Sequence, residues 1–124
     1  MNGYSVSIAE TNKELSAKVR IRLKDTSDAV KLDEATKEEV VIITPTVYAI
    51  LNIHNEKSDN KDYNNYLIED ADGTKYVTGS ESFWTSFIDI YNEMKDETEP
   101  WQIKVYRLPS KNYKGKEFLT CSII

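Results

Sequence analysis

The chain is poor in the residues on which much protein chemistry depends. Its 124 residues include one cysteine, Cys121, and one histidine, His54. A lone cysteine cannot close a disulfide within the chain or build a thiolate metal site. A lone imidazole excludes most zinc sites and most triad chemistry. Four glycines and three prolines leave no glycine- or proline-rich linker and no phosphate-cradling glycine loop. The longest apolar run, Val40-Val-Ile-Ile43, is strand-sized and far below the ~18–20 residues that span a bilayer. The N-terminal stretch MNGYSVSIAETNKE lacks the basic-then-apolar layout of a signal peptide, so a cytoplasmic location is the default expectation. Asp70-Ala-Asp-Gly73 begins like a calcium loop, but the later ligands of that motif do not follow, so it reads as a turn. No catalytic machinery, metal or cofactor is expected. Cys121 reads as a small buried apolar residue, and His54 as structural or solvent-facing.

What is present is ordinary globular material, 40% hydrophobic and 30% charged, enough for one modest core and a single domain over residues 1–124. The net charge of −5 argues against a nucleic-acid partner by its sum but not by its distribution. Lys13, Lys18, Arg20, Arg22 and Lys24 fall in one short segment with a single acid, Glu14. Lys104, Arg107, Lys111, Lys114 and Lys116 fall in another with only Glu117. Residues 25–100 hold six cations against eighteen acids. Two basic segments thus flank an acidic middle, and screening confines each field to roughly 8–10 Å at cellular salt.

Along the chain, Leu15, Ala17, Val19, Ile21 and Leu23 alternate with Ser16, Lys18, Arg20, Arg22 and Lys24. That period of two predicts a strand with one apolar and one basic face. Residues 25–39 read as a long acidic connection or an irregular hairpin arm. The β-branched stretch 39–54 is interrupted by Pro45, which predicts two strands or one bent strand. Within it Val47, Ala49, Leu51 and Ile53 share a face opposite Tyr48, Ile50, Asn52 and His54. Residues 55–62 form a solvated loop, and residues 63–69 and 74–78 flank the Asp70–Gly73 turn as a hairpin. Trp84, Phe87, Ile88 and Tyr91 lie at helical spacing, widened by Phe83, Ile90 and Met94, with Ser80 or Ser82 as cap. Pro100 ends that helix, and two closing strands follow, 101–108 and 117–124. Several antiparallel strands with one amphipathic helix before the last two predict a mainly β, five-stranded OB-fold-like barrel.

Three constellations are candidates for function. On a strand, Lys18, Arg20, Arg22 and Lys24 would repeat every ~6.5–7 Å, suited to successive phosphates of an extended strand; the bland reading is a solvated face. The last hairpin interleaves Lys104, Tyr106, Arg107, Lys111, Tyr113, Lys114 and Lys116, joining cations for a nucleic-acid backbone to π-faces for its bases; the bland reading is a polar turn. Among eight tyrosines, Tyr48, Tyr63, Tyr66 and Tyr76 fall on the central strands, where an OB-fold binds its ligand, or else line the core rim, and Tyr63 and Tyr66, three apart, would face opposite sides.

The C-terminal half, from residue 66 on, resembles small phage single-stranded DNA-binding proteins. The likeness rests on Asp72-Gly-Thr-Lys-Tyr76, the helix over 82–95, Gln102-Ile-Lys-Val-Tyr106 and the closing strand Gly115-Lys-Glu-Phe-Leu-Thr-Cys-Ser-Ile123. The resemblance implies an OB-fold and sequence-tolerant binding that protects single strands during replication or recombination. It also implies contact with replication or recombination proteins. The acidic, phenylalanine-ended tail of bacterial members is not matched, so recruitment through such a tail is not expected. The competing expectation is an acidic phage or mobile-element protein that binds a host protein, as an inhibitor or DNA mimic. A homodimer through an exposed edge strand fits either, but no residue pattern names the strand.

Overall fold

The computed structural model describes residues 3–110 and 115–124. In chain order the elements are β1 (Tyr4–Thr11), α1 (Ala17–Lys24), β2 (Val30–Lys31), α2 (Leu32–Ala35), β3 (Val41–Ile43), β4 (Pro45–Asn55), β5 (Asp62–Asp70), β6 (Lys75–Thr78), α3 (Glu81–Met94), β7 (Ile103–Pro109) and β8 (Glu117–Ile123). The protein is mainly β, with its strands in two sheets ordered β1-β4-β5-β6-β2 and β3-β7-β8. The expected single five-stranded barrel is therefore corrected: among the described residues eight strands divide five and three and form no closed barrel. The chain divides into two compact units, one from the N-terminal segment to Val30 with Thr46–Gly79, the other Lys31–Pro45 with Ser80–Ile124.

In the first unit β4 is the organising strand. Val47, Ala49, Leu51 and Ile53 all point to one face and form a buried cluster with Leu67 of β5 and Leu23 of α1. Val6, Ile8, Leu15, Val19 and Tyr63 pack around it. β1 pairs antiparallel with β4 from Tyr4↔Asn55 to Thr11↔Ala49, with a bulge between Ile8 and Glu10. The Asn12 side chain prolongs that ladder, its Oδ1 accepting from the Tyr48 N–H at 3.0 Å and its Nδ2 donating to the Thr46 carbonyl at 3.2 Å. The β5–β6 hairpin turns on Gly73, whose φ of 91° is open to glycine at no steric cost.

The segment expected as a basic strand, Leu15–Lys24, is instead the N-terminal flank and body of helix α1. The apolar odd positions contain a helical subset, Leu15, Val19 and Leu23, spaced four apart, and it is this subset that packs on the sheet. Ser16 caps the helix, its Oγ accepting from the Val19 N–H at 3.3 Å. Ile21, left over from the alternation, is 68% exposed. The C-terminal end is met by Lys75 of β6, almost fully buried, whose Nζ donates to the carbonyls of Arg22 (2.9 Å) and Asp25 (2.6 Å) and pairs with Asp28 at 2.7 Å. A cation at those carbonyls also complements the helix dipole. Arg22 makes a two-pronged pair with buried Glu69, and Glu69 lies directly opposite Lys75 across the β5–β6 ladder.

The second unit is a three-stranded antiparallel sheet with regular register, Ile43↔Ile103↔Ile123 at one end and Pro109↔Glu117 at the other. Ser80 caps α3, accepting from the Phe83 N–H at 3.2 Å. Phe83, Trp84 and Phe87 are buried on its apolar stripe, with ring centroids 6.2 Å apart for Phe83–Phe87 and 5.1 Å for Trp84–Phe87. Small residues let α3 approach β8 closely: Ser82 Oγ donates to the Leu119 carbonyl at 2.9 Å, and Ser86 Oγ lies 3.1 Å from Thr120 Oγ1. The stretch expected as an acidic connection holds β2 and α2. With α1 and α3, the described residues hold three helices rather than the single one expected.

The Arg22 pairing predicts unequal roles for the cations of α1. Arg22→Met strands a buried carboxylate and should lower unfolding free energy by about 1–3 kcal/mol. Arg20→Met, on the exposed side, should stay within about 0.5 kcal/mol. Urea unfolding midpoints at unchanged m-value measure both.

Candidate nucleic-acid interface

Strand parity in the second unit sorts the last hairpin into two faces. Ile103, Val105, Leu119 and Cys121 are buried on one. The other carries Lys104, Tyr106 and Leu108 from β7, Phe118, Thr120 and Ser122 from β8, and Ile42 from β3, as the registers Ile42↔Lys104↔Ser122, Tyr106↔Thr120 and Leu108↔Phe118 require. Contacts agree with that placement. The Tyr106 hydroxyl lies 2.6 Å from Ser122 Oγ, and Lys104 Nζ sits 5.3 Å from the centre of the Tyr106 ring. Thr120 is buried where α3 meets this face, whereas Ile42 and Leu108 are exposed and Phe118 is 37% exposed. The result is a partly exposed sheet surface on which half-buried Tyr106 lies between exposed Lys104, two positions away on β7, and Phe118, two positions along on β8.

The ring of Tyr106 is held from both ends. Its hydroxyl is fixed diagonally across the strand pair by Ser122, and its π-cloud attracts the Lys104 ammonium. A side chain already fixed in one rotamer loses little further entropy when a planar ligand stacks on it. Exposed Lys116, at the foot of β8, adds a second cation beside this surface.

The other candidates fall in different places. Arg107 points to the opposite face from Tyr106, donating to Thr36 Oγ1 at 3.1 Å and to the Asp33 carbonyl; it ties α2 to the sheet. Lys18, Arg20, Arg22 and Lys24 lie on α1, two on each flank of the Val19–Leu23 stripe, so they do not form one row. Arg22 is committed to Glu69, while Lys18, Arg20 and Lys24 are exposed and form no ion pair among the described residues. Tyr48, Tyr66 and Tyr76 do share a face, the one opposite the first unit's core cluster, with Tyr66 and Tyr76 two positions apart on adjacent strands. Tyr48 and Tyr66 are buried there and Tyr76 is half-buried. Burial holds the Tyr76 phenol above its ordinary range, with Asp70 and Asp72 adding to the effect, so it stays neutral. Lys111, Tyr113 and Lys114 lie outside the described residues. Phe118, Leu108 and Ile42 were not among the residues singled out from sequence. The signal that finds them is parity: counting by two from Tyr106 and pairing the closing strand puts Phe118 beside Leu108.

Two further groups have defined chemistry. The Cys121 thiol is pushed up to about 12 by burial, which removes it as a nucleophile at neutral pH. His54 is flanked on both ring nitrogens: Nδ1 lies 2.7 Å from Asp62 Oδ1 and Nε2 lies 2.7 Å from Glu56 Oε1, with Lys61 closing on the other Glu56 oxygen at 3.2 Å. A neutral imidazole donates from one nitrogen only, so this clamp is complete when the ring is an imidazolium. Its hydrogen bonds to Asp62, then to Glu56, accordingly raise the His54 pKa above its ordinary 6.5. The clamp closes the β4–β5 loop, where the Asn55 N–H donates to the Lys61 carbonyl at 2.7 Å. No His, Cys, Asp and Glu group among the described residues has the arrangement of a metal site.

Comparison of the chain with protein-family models, with curated proteins and with solved structures finds no match.

The clamp predicts a pH dependence of defined sign. A raised folded pKa means its stabilisation is fully present below about pH 6.5 and is lost as pH rises through the folded value. The single histidine gives one unambiguous ring-proton resonance. Its NMR titration should lie above 6.5 and should move down in Asp62→Asn, and the melting-temperature gap between that variant and the parent should close as the medium turns alkaline.

Proposed function

We propose that this protein binds single-stranded DNA without strong sequence preference, through the solvent-facing surface of β3, β7 and β8. The observation that carries this reading is the joint placement of Tyr106, Phe118 and Lys104 on one regular, partly exposed sheet face. Single-strand binders need two things at once, π-faces on which successive bases stack and cations that follow the backbone. Tyr106 and Phe118 supply the first. Lys104 and Lys116 supply the second. Stacking on two rings needs no base-edge hydrogen bonds, so discrimination between bases is weak. The reading needs a flat aromatic sheet surface rather than a closed OB barrel. It fits a protective role on strands exposed in the cytoplasm during phage or mobile-element replication or recombination.

Salt and substitution test the proposal together. Anisotropy of a labelled oligothymidine should report binding at micromolar protein and ~50 mM salt, with a log–log salt slope of about −0.7 per phosphate contacted. Phe118→Ala and Tyr106→Ala should each weaken binding by about 1–3 kcal/mol, roughly five- to 150-fold, across all sequences. Lys104→Ala should reduce the magnitude of the slope by about 0.7. If Phe118→Ala and Lys104→Ala both retain parental affinity and slope, the face is not the DNA surface. No binding by the parent at low salt would dismiss the function altogether.

A further inference from the structure

We propose that β1 pairs with β1 of a second copy of this chain, forming a two-fold dimer with one continuous sheet. β1 ends the five-stranded sheet, and its one neighbour there is β4. Among the described residues its other edge has no backbone hydrogen-bond partner. Isolated edges of this kind are normally blunted by lysine, proline or a bulge. Tyr4–Ile8 has no charged residue and no proline, and the bulge begins only after Ile8. Five residues of regular, uncharged edge are thus left open.

The side chains point the same way. Val6 and Ile8 belong to the core face, packed around the Val47–Leu67 cluster on the β4 side. They remain half-buried because nothing extends that row beyond the edge, and Tyr4, next along the same face, is 42% exposed. An antiparallel copy centred on Val6 sets Tyr4 against the partner's Ile8 and Val6 against the partner's Val6, so the apolar row continues across the axis. Ser5 then meets the partner's Ser7 on the opposite face, a neutral pairing. The contact is isologous and self-limiting: pairing β1 with β1 uses that edge on both chains, so this contact stops at two.

A two-fold axis normal to the sheet keeps both copies of α1 on the same face of the joined sheet. Their exposed cations repel rather than attract, so dimerisation should persist or tighten as salt rises. DNA binding has the opposite salt response, and the two proposals can fail separately.

Sedimentation of the full chain at about 1–100 μM should show a species of twice the 14.3 kDa chain mass, shifting to the monomer on dilution. Val6→Lys, which places a charge on the inward side of the edge, should give monomer at every concentration in that range. Because that change also touches the core, a register-specific test accompanies it. Ser5→Cys and Ser7→Cys chains, mixed and mildly oxidised, should cross-link to each other and much less to themselves, while buried Cys121 stays silent in the parent. A parent that sediments as monomer at about 100 μM, or Ser5→Cys chains that cross-link to themselves as readily as to Ser7→Cys chains, would overturn the dimer.

Discussion

The placement of α1 depends on one buried carboxylate. Glu69 sits on the inner face of β5, where an unpaired charge would be severely penalised, and it is balanced by Arg22 from the helix, while Lys75 lies opposite it on the adjacent strand. Lys75 in turn binds the carbonyl groups at the helix end. Three side chains thereby determine where α1 lies, where it stops and how it is rotated. The rotation decides which of its cations are committed to the fold and which face water. Hydrophobic burial alone would let an eight-residue helix slide; the directed polar contacts specify its position.

The second sheet depends on a different constraint, uninterrupted register. From Ile103↔Ile123 to Pro109↔Glu117 no residue is skipped, so parity alone separates the buried row from the exposed one. Tyr106 and Arg107, adjacent in sequence, consequently serve opposite sides: one ring lies on the open surface, while the guanidinium anchors α2. A single inserted residue in this ladder would exchange the two rows.

Much of the architecture was legible. The break at Pro45, the inward face of β4, the Asp70–Gly73 hairpin, the serine-capped α3 and the closing pair of strands follow from alternation, turn chemistry and helical spacing, and each is found. Helix α1 was misread because alternate positions 15–23 include every fourth position, so both periods fit the same residues. The serine cap and the partner waiting in β5 favour the helix. β1 also alternates, Tyr4, Val6 and Ile8 against serines, yet it exists only because β4 pairs with it more than forty residues away at its outer end. The candidate surface was legible at Lys104 and Tyr106. Phe118 was not, because its neighbours depend on hairpin register. Arg22 and Arg107 share composition with a ligand-binding cation, and only tertiary partners reveal their structural use.

The interleaving of the two units along the chain has a kinetic consequence. The backbone passes from one to the other near Val30, Pro45 and Gly79, so neither is a contiguous segment. The first sheet cannot be completed until residues up to Thr78 have emerged from the ribosome, and the second must wait for the last strand of the chain. Both begin with long loops to close, β1 to β4 and β3 to β7, and loop-closure entropy is lost before those ladders return any stabilisation. High contact order of this kind places folding toward the slow end for a chain of this size. Truncation from the C-terminus would remove the centre and one edge of the second sheet while leaving every strand of the first intact.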